Sequence, residues 1–217
     1  MVQNAKRPFA AVWRPLQRRV WGMLVNRGGL DISGFVSAEA AGDIAHEREF
    51  YVPSWYSAIP RAFRALEVDR EDVFVDYGSG KGLVVIQAAL RHPFREVIGV
   101  EISAELTRIA RANVELAHDG FRAREVRLVV ADATAWSLPD DVTYIYMYNP
   151  FTGETFQTVL DRIVDSLDRR PRKLTLIYLN PKEDEVIRRS GRFELGRISR
   201  GLRPDLEMHR IHFYASC

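Results

Sequence analysis

The sequence predicts an α/β protein: a doubly wound, mostly parallel seven-stranded sheet with an antiparallel C-terminal hairpin, preceded by N-terminal helices. Three observations carry this expectation. From Val73 onward, short β-branched and aromatic runs alternate with stretches of helical apolar spacing, the pattern of right-handed βαβ units covered on both faces. A glycine-rich turn follows directly on the first run and opens a helix. The last two runs, 192–198 and 206–214, have no helix between them, which sets the final pair antiparallel at a sheet edge.

Composition bounds the rest. The 217 residues are 47% hydrophobic, 11% aromatic and 28% charged, which supplies one buried core and excludes disorder over the whole chain. A single cysteine, Cys217, excludes a disulfide framework and a cysteine-based zinc site. No cluster has metal-ligand spacing, so no metal is expected. No stretch of ~18 apolar residues reads as a membrane span, and the N-terminus lacks the apolar region of a secretory signal. A cytoplasmic protein is the expectation.

Three zones follow one another. Residues 1–30 form a basic amphipathic arm with six cations and no acid, while the remainder carries 25 basic and 29 acidic residues. Phe9, Val12, Trp13, Leu16, Val20, Trp21 and Leu24 fall at helical spacing, and Arg27-Gly28-Gly29 ends the pattern. This stripe suits a helix docked on the protein's own body or on a dimer mate. Residues 9–24 also suit a peripheral helix at a membrane surface, and a nucleic-acid contact is the least supported because no recognition motif accompanies the charge. Residues 31–70 form a helical segment, with helices expected near 37–50 and 54–67. Residues 71–217 form the α/β domain. Its strands are expected at 73–76, 96–101, 126–130, 142–148, 173–179 and the two terminal runs. Its helices are expected near 81–91, 103–117, 153–167 and 182–189.

The strongest motif is Asp76-Tyr77-Gly78-Ser79-Gly80-Lys81-Gly82, between a strand and a helix. Alternate glycines let the backbone turn tightly and approach a ligand, and the helix start offers free N–H groups. The spacing is neither the dinucleotide fingerprint, whose third glycine position is Leu83, nor a P-loop. Glu101 ends the next strand, where a carboxylate can accept both hydroxyls of a ribose. Asp132 and Ala133 follow the third strand, where a short carboxylate can accept a hydrogen bond from an adenine amino group.

DxGxGxG after the first strand, an acid ending the second and an Asp after the third resemble the class I S-adenosylmethionine-dependent methyltransferases, over roughly residues 50–217. The resemblance implies a Rossmann-like fold and S-adenosylmethionine as cofactor. It implies that Asp76 anchors the loop and the methionine ammonium, that Gly78, Ser79 and Gly80 pass under the cofactor, that Glu101 holds the ribose, and that Asp132 and Ala133 meet adenine. Tyr51 and Tyr56 lie in a Tyr-x-Pro segment similar to one in the non-SET histone-lysine methyltransferases, where such a stretch touches the cofactor.

Two strand ends echo one another, Tyr148-Asn149-Pro150-Phe151 and Tyr178-Leu179-Asn180-Pro181. By resemblance, the first faces the transferable methyl, and Asn149, Pro150 and Phe151 stand where amino-methylating members carry Asn/Asp-Pro-Pro-Tyr/Phe. The site here is one proline short, which argues against a nucleic-acid base as acceptor. Tyr146, Tyr148, His209, His212 and Tyr214 are further polar candidates. His209 and His212 are expected on opposite faces of a terminal strand, and His46, His92 and His118 toward solvent. The expected activity is methyl transfer to a nitrogen acceptor, a protein lysine or a small-molecule amine. The alternative is a non-catalytic cofactor-binding or membrane-associated interaction protein with the same fold. The acceptor and the oligomeric state are left open.

Overall fold

A computed structural model describes residues 29–32, 54, 57–64, 66–201 and 207–217. The stripe at 9–24, the helix expected at 37–50, His46, Tyr51 and Tyr56 lie outside these residues. The elements in order are α1 (Ile59–Phe63), β1 (Val73–Tyr77), α2 (Leu83–Arg91), β2 (Glu96–Glu101), α3 (Ala104–Ala117), β3 (Glu125–Val130), β4 (Tyr144–Tyr148), α4 (Gly153–Arg169), β5 (Thr175–Leu179), α5 (Asp184–Arg189), β6 (Phe193–Ser199) and β7 (Ile211–Ser216). The seven strands form one sheet in the order β3-β2-β1-β4-β5-β7-β6. The first five pair in parallel, and β7 runs antiparallel to both β5 and β6. The predicted fold class is the observed one.

Period-two alternation builds the two faces. Val73, Val75 and Tyr77 of β1, Ile145 and Met147 of β4, and Leu176 and Tyr178 of β5 point to one side, where Phe156, Val159, Leu160 and Ile163 of α4 cover them. Phe74, Tyr146, Ile177 and Leu179 point to the other, against Leu83, Val84, Val85 and Ala88 of α2 and Ile59, Ala62 and Phe63 of α1. The strand order reverses between β2-β1 and β4-β5, so the carboxyl ends of β1 and β4 flank the switch point where such sheets bind ligands.

Three expectations are corrected. The helix expected over 54–67 is confined to Ile59–Phe63. Ile59, Ala62 and Phe63 are buried, but the chain must leave the helix to reach β1, and the Glu67 carbonyl accepts the Tyr144 hydroxyl at 2.6 Å. The last strand starts at Ile211 rather than 206: its ladder with β5 begins at Leu179–Ile211, one further bond runs from the Asn180 N–H to the Arg210 carbonyl at 3.0 Å, and a 3-10 turn precedes it. His209 therefore sits in a 3-10 turn, Glu207–His209, and only His212 lies on the strand. His92 is only partly turned to solvent: it is half-buried, with ring centroids 5.8 Å from both Phe63 and Phe94, and burial pushes its pKa down. Among the described residues, no helix is long and apolar enough to cross a membrane.

Arg61 ties α1 to the far edge of the sheet. Its guanidinium donates to the carbonyls of Ser57 (3.1 Å), Ser199 (3.2 Å) and His209 (2.8 Å). Hydrogen bonds from a charged donor contribute more than neutral ones. Arg61→Ala is expected to lower unfolding stability by about 2–3 kcal/mol, read from the midpoint of a urea titration.

Candidate active site

The glycine loop leaves β1 with three residues in left-handed backbone conformation, Gly78, Gly80 and Gly82 (φ 73°, 52° and 82°). The N–H groups of Gly78 and Ser79 both donate to the Val100 carbonyl, at 2.9 and 3.1 Å, which fastens the turn to the end of β2. Two of the glycines are also required by space. A Cβ on Gly78 would stand 2.7 Å from Pro150 Cβ, and one on Gly82 would stand 3.1 Å from Ala110 Cβ. The first absence lets the loop lie against the end of β4. The second brings the start of α2 against α3.

Glu101, 9% exposed, holds the next layer. Its Oε2 accepts the Gly80 N–H at 2.8 Å and its Oε1 accepts the Ser103 N–H at 3.0 Å. Ser103 in turn caps α3, its hydroxyl accepting the Leu106 N–H at 3.3 Å. Asp76 is 3% exposed. Burial first, and the nearby Glu101 second, hold its carboxyl well above the usual carboxylate range. The Ala131 N–H donates to the Glu101 carbonyl at 2.9 Å, so the chain after β3 arrives beside the same residue. There Asp132 Oδ1 accepts the N–H and the hydroxyl of Thr134, at 2.9 and 2.8 Å, in a compact turn. Ala133 is half-buried beside it.

A second support has no sequence signal. Asn113, buried in α3, accepts the Asp31 N–H at 2.8 Å and donates to the carbonyls of Asp31 and Lys81, both at 2.9 Å. The buried Lys81 ammonium pairs with Asp31 at 2.8 Å. The chain at residues 29–32 is thereby held against the glycine loop.

Asn149 and Asn180 end the adjacent strands β4 and β5, and both have positive φ, 43° and 56°. Asparagine tolerates this region better than most residues, but a residue before proline avoids helical backbone, so both sites are strained. Asn149 is 4% exposed, and its Oδ1 accepts the Tyr178 hydroxyl at 3.1 Å. Pro150 abuts Gly78. Phe151 turns into the core, its ring 6.2 Å from Tyr77 and 6.1 Å from Phe156. The structure thus brings Asp76, the loop, Glu101, Asp132, Asn149 and Pro150 to one edge of the sheet and gives Phe151 a packing role.

The other polar candidates divide. The Tyr146 hydroxyl is buried 3.1 Å from Ser54 Oγ. His212 Nδ1 lies 2.9 Å from Asp184 Oδ1 and 3.0 Å from the Tyr214 hydroxyl, which itself donates to Asp184. That set belongs to the β7–α5 contact. Among the described residues, no group of three or more His, Cys, Asp or Glu side chains could hold a metal ion.

The buried Asp76 carries a stability consequence. A carboxyl whose folded pKa is raised favours the protonated native state, so ionisation destabilises the fold above the unfolded pKa. Asp76→Asn is expected to raise the melting temperature at pH 7, and that gain should vanish as pH falls to about 4 and below, where the unfolded-state acid is itself protonated. Differential scanning calorimetry of both proteins from about pH 3.5 to about pH 8 checks the sign.

Comparison with known proteins agrees with this geometry. Residues 47–132 match the family model described as histone methylation protein DOT1. A protein-lysine N-methyltransferase of Saccharolobus islandicus is 35% identical over 65 residues, which cover 30% of this chain and 40% of that protein's length. An RNA methyltransferase from Salinibacter ruber, solved with S-adenosyl-L-homocysteine, superposes with a TM-score of 0.54 at 24% identity over 76% of this chain and 94% of its own. A TehB-like S-adenosylmethionine-dependent methyltransferase from Corynebacterium glutamicum superposes with a TM-score of 0.54 at 15% identity, over 93% of this chain and 98% of its own. The sheet order, the glycine turn and these likenesses together give the chain the fold of the class I, Rossmann-like methyltransferases.

Proposed function

We propose that this protein transfers a methyl group from S-adenosylmethionine to a nitrogen acceptor, a protein lysine ahead of a small-molecule amine. The observation that carries the reading is the joint between loop and acid: Glu101 holds the Gly80 N–H while Asp76 lies buried at the end of β1. The residues fit the cofactor. A buried carboxyl with a raised pKa is a site where a cation relieves desolvation, and an ammonium supplies one. A carboxylate is an acceptor at both oxygens, which suits Glu101 to the hydroxyls of a ribose. The bonds from Thr134 orient the Asp132 carboxylate, which supports the reading that it meets the adenine amino group. Tyr51 and Tyr56 are proposed to contact the same ligand.

S-adenosylmethionine supplies an electrophilic methyl on a sulfonium. The protein's work is then positioning, which contributes on the order of 7–11 kcal/mol at best. Asn149 stands at the β4 end, beside the loop that Pro150 touches. Its side-chain oxygen, oriented by Tyr178, can accept an N–H of the acceptor and aim the nitrogen lone pair. A lysine ammonium, with an ordinary pKa of ~10.4, must first lose a proton, and desolvation at a buried strand end favours the neutral amine. The relative described as a protein-lysine N-methyltransferase supports lysine as the acceptor class.

Calorimetry should show binding of both S-adenosylmethionine and S-adenosylhomocysteine. Glu101→Ala is expected to weaken both by about tenfold to a hundredfold. Clear NAD binding with neither of these ligands bound would overturn the reading. Asn149→Ala is expected to cost about 2.7–4 kcal/mol in the barrier, on the order of a hundredfold to a thousandfold in turnover, with cofactor affinity nearly intact. The assay is transfer of isotopically labelled methyl to proteins of a cell lysate, with mass spectrometry locating the modified atom. Full turnover by that variant would remove the support for a nitrogen acceptor.

A further inference from the structure

A cleft opens at the end of α2 away from the glycine loop. It has a volume of about 410 Å³ and is lined by Arg64, Arg91, Arg122 and His92 over Phe63 and Leu90, with no carboxylate among its lining residues. The nine residues of α2 (Leu83–Arg91) separate it from the glycine loop, about 13 Å at helical rise.

The guanidiniums here are held by neutral oxygens. Arg91 donates from Nε and Nη2 to Gln87 Oε1, at 3.2 and 3.0 Å. Arg122 donates from Nη1 to the Arg91 carbonyl at 2.8 Å. Among the described residues, none of Arg64, Arg91 and Arg122 forms a salt bridge, whereas Arg95, Arg127, Arg169 and Arg192 each meet an acid. A neutral acceptor fixes the direction of a guanidinium without cancelling its charge. Two such groups are thus partly ordered before any ligand arrives, with N–H donors left over, and a third stands across the cleft on the residue that ends α1. The end of α2 offsets part of the Arg91 charge through the helix dipole, but Arg64 and Arg122 belong to other segments. Guanidiniums that no acid of the described residues pairs, set around a concave surface, match the planar, multidentate recognition of phosphate oxygens, and the volume is that of a small-ligand site.

We propose that this cleft binds a small phosphate anion carrying two or more negative charges, at a site separate from the one that would take S-adenosylmethionine. Two sources share that chemistry, an inorganic polyphosphate and the phosphate chain of a nucleotide.

Isothermal titration of the full chain with pyrophosphate at low ionic strength tests this, since screening weakens such interactions. The expected result is saturable binding that Arg91→Gln/Arg122→Gln weakens by about a hundredfold, roughly tenfold for each guanidinium replaced. An unchanged melting temperature of the variant shows that the weakening is not unfolding. ATP distinguishes the sources: tighter binding than pyrophosphate assigns the anion to a nucleotide, and equal binding assigns it to phosphate groups alone. Pyrophosphate binding that the double variant retains, or that excess S-adenosylhomocysteine displaces, would overturn the proposal. So would the absence of pyrophosphate binding, including the case where a single-stranded RNA binds instead.

Discussion

Two backbone N–H groups, from Gly80 and Ser103, converge on the carboxylate of Glu101. The backbone of the same residue receives the Ala131 N–H, and the preceding Val100 carbonyl receives two more from the loop. One strand end therefore holds the glycine turn, the capped start of α3 and the exit of β3. A buried carboxylate is costly unless its lone pairs are met, and here they are met by the groups that a ligand-binding edge must keep in place. Burying Asp76 close by adds a second acid at that edge. The fold tolerates that cost without a hydrogen bond to the Asp76 carboxyl among the described residues. Under the proposed function, the compensation is an ammonium.

The other half of the edge rests on backbone strain. Asn149 and Asn180 end neighbouring parallel strands with positive φ, each ahead of a proline. Such conformations cost about 1–3 kcal/mol apiece and persist only where surrounding packing dictates them. At Asn149 that packing is visible. Pro150 fills the space that a side chain on Gly78 would need, Phe151 is wedged among Tyr77 and Phe156, and Tyr178 bonds the side chain. The glycine loop and the β4 end are thus packed directly against each other through Gly78 and Pro150.

The legible parts of the molecule are those written locally in the chain. The strand alternation from Val73 encodes the sheet, and Gly78, Gly80 and Glu101 can be read from spacing because a turn and a strand end are short-range features. The Asn113 clasp is not legible, since an asparagine in the middle of an amphipathic helix carries no signal of a partner 82 residues away. Tyr178 reads in the sequence only as part of an echoing strand end, and its bond to Asn149 depends on β4 and β5 being neighbours. The helix expected over 54–67 fails for a related reason. Its apolar period is real, but the length of a helix is set by where the chain must go next, and here it must turn toward β1. His209 falls off the expected strand because its backbone closes a 3-10 turn, Glu207–His209, ahead of the ladder with β5.

The most direct test of this account is a crystal structure of the protein with S-adenosylhomocysteine. The ribose hydroxyls are expected within hydrogen-bond distance of Glu101, the ammonium beside Asp76 and the sulfur facing Asn149, with the Gly80 N–H still on Glu101. A ligand bound elsewhere, or at this edge with its ribose turned away from Glu101, would contradict it.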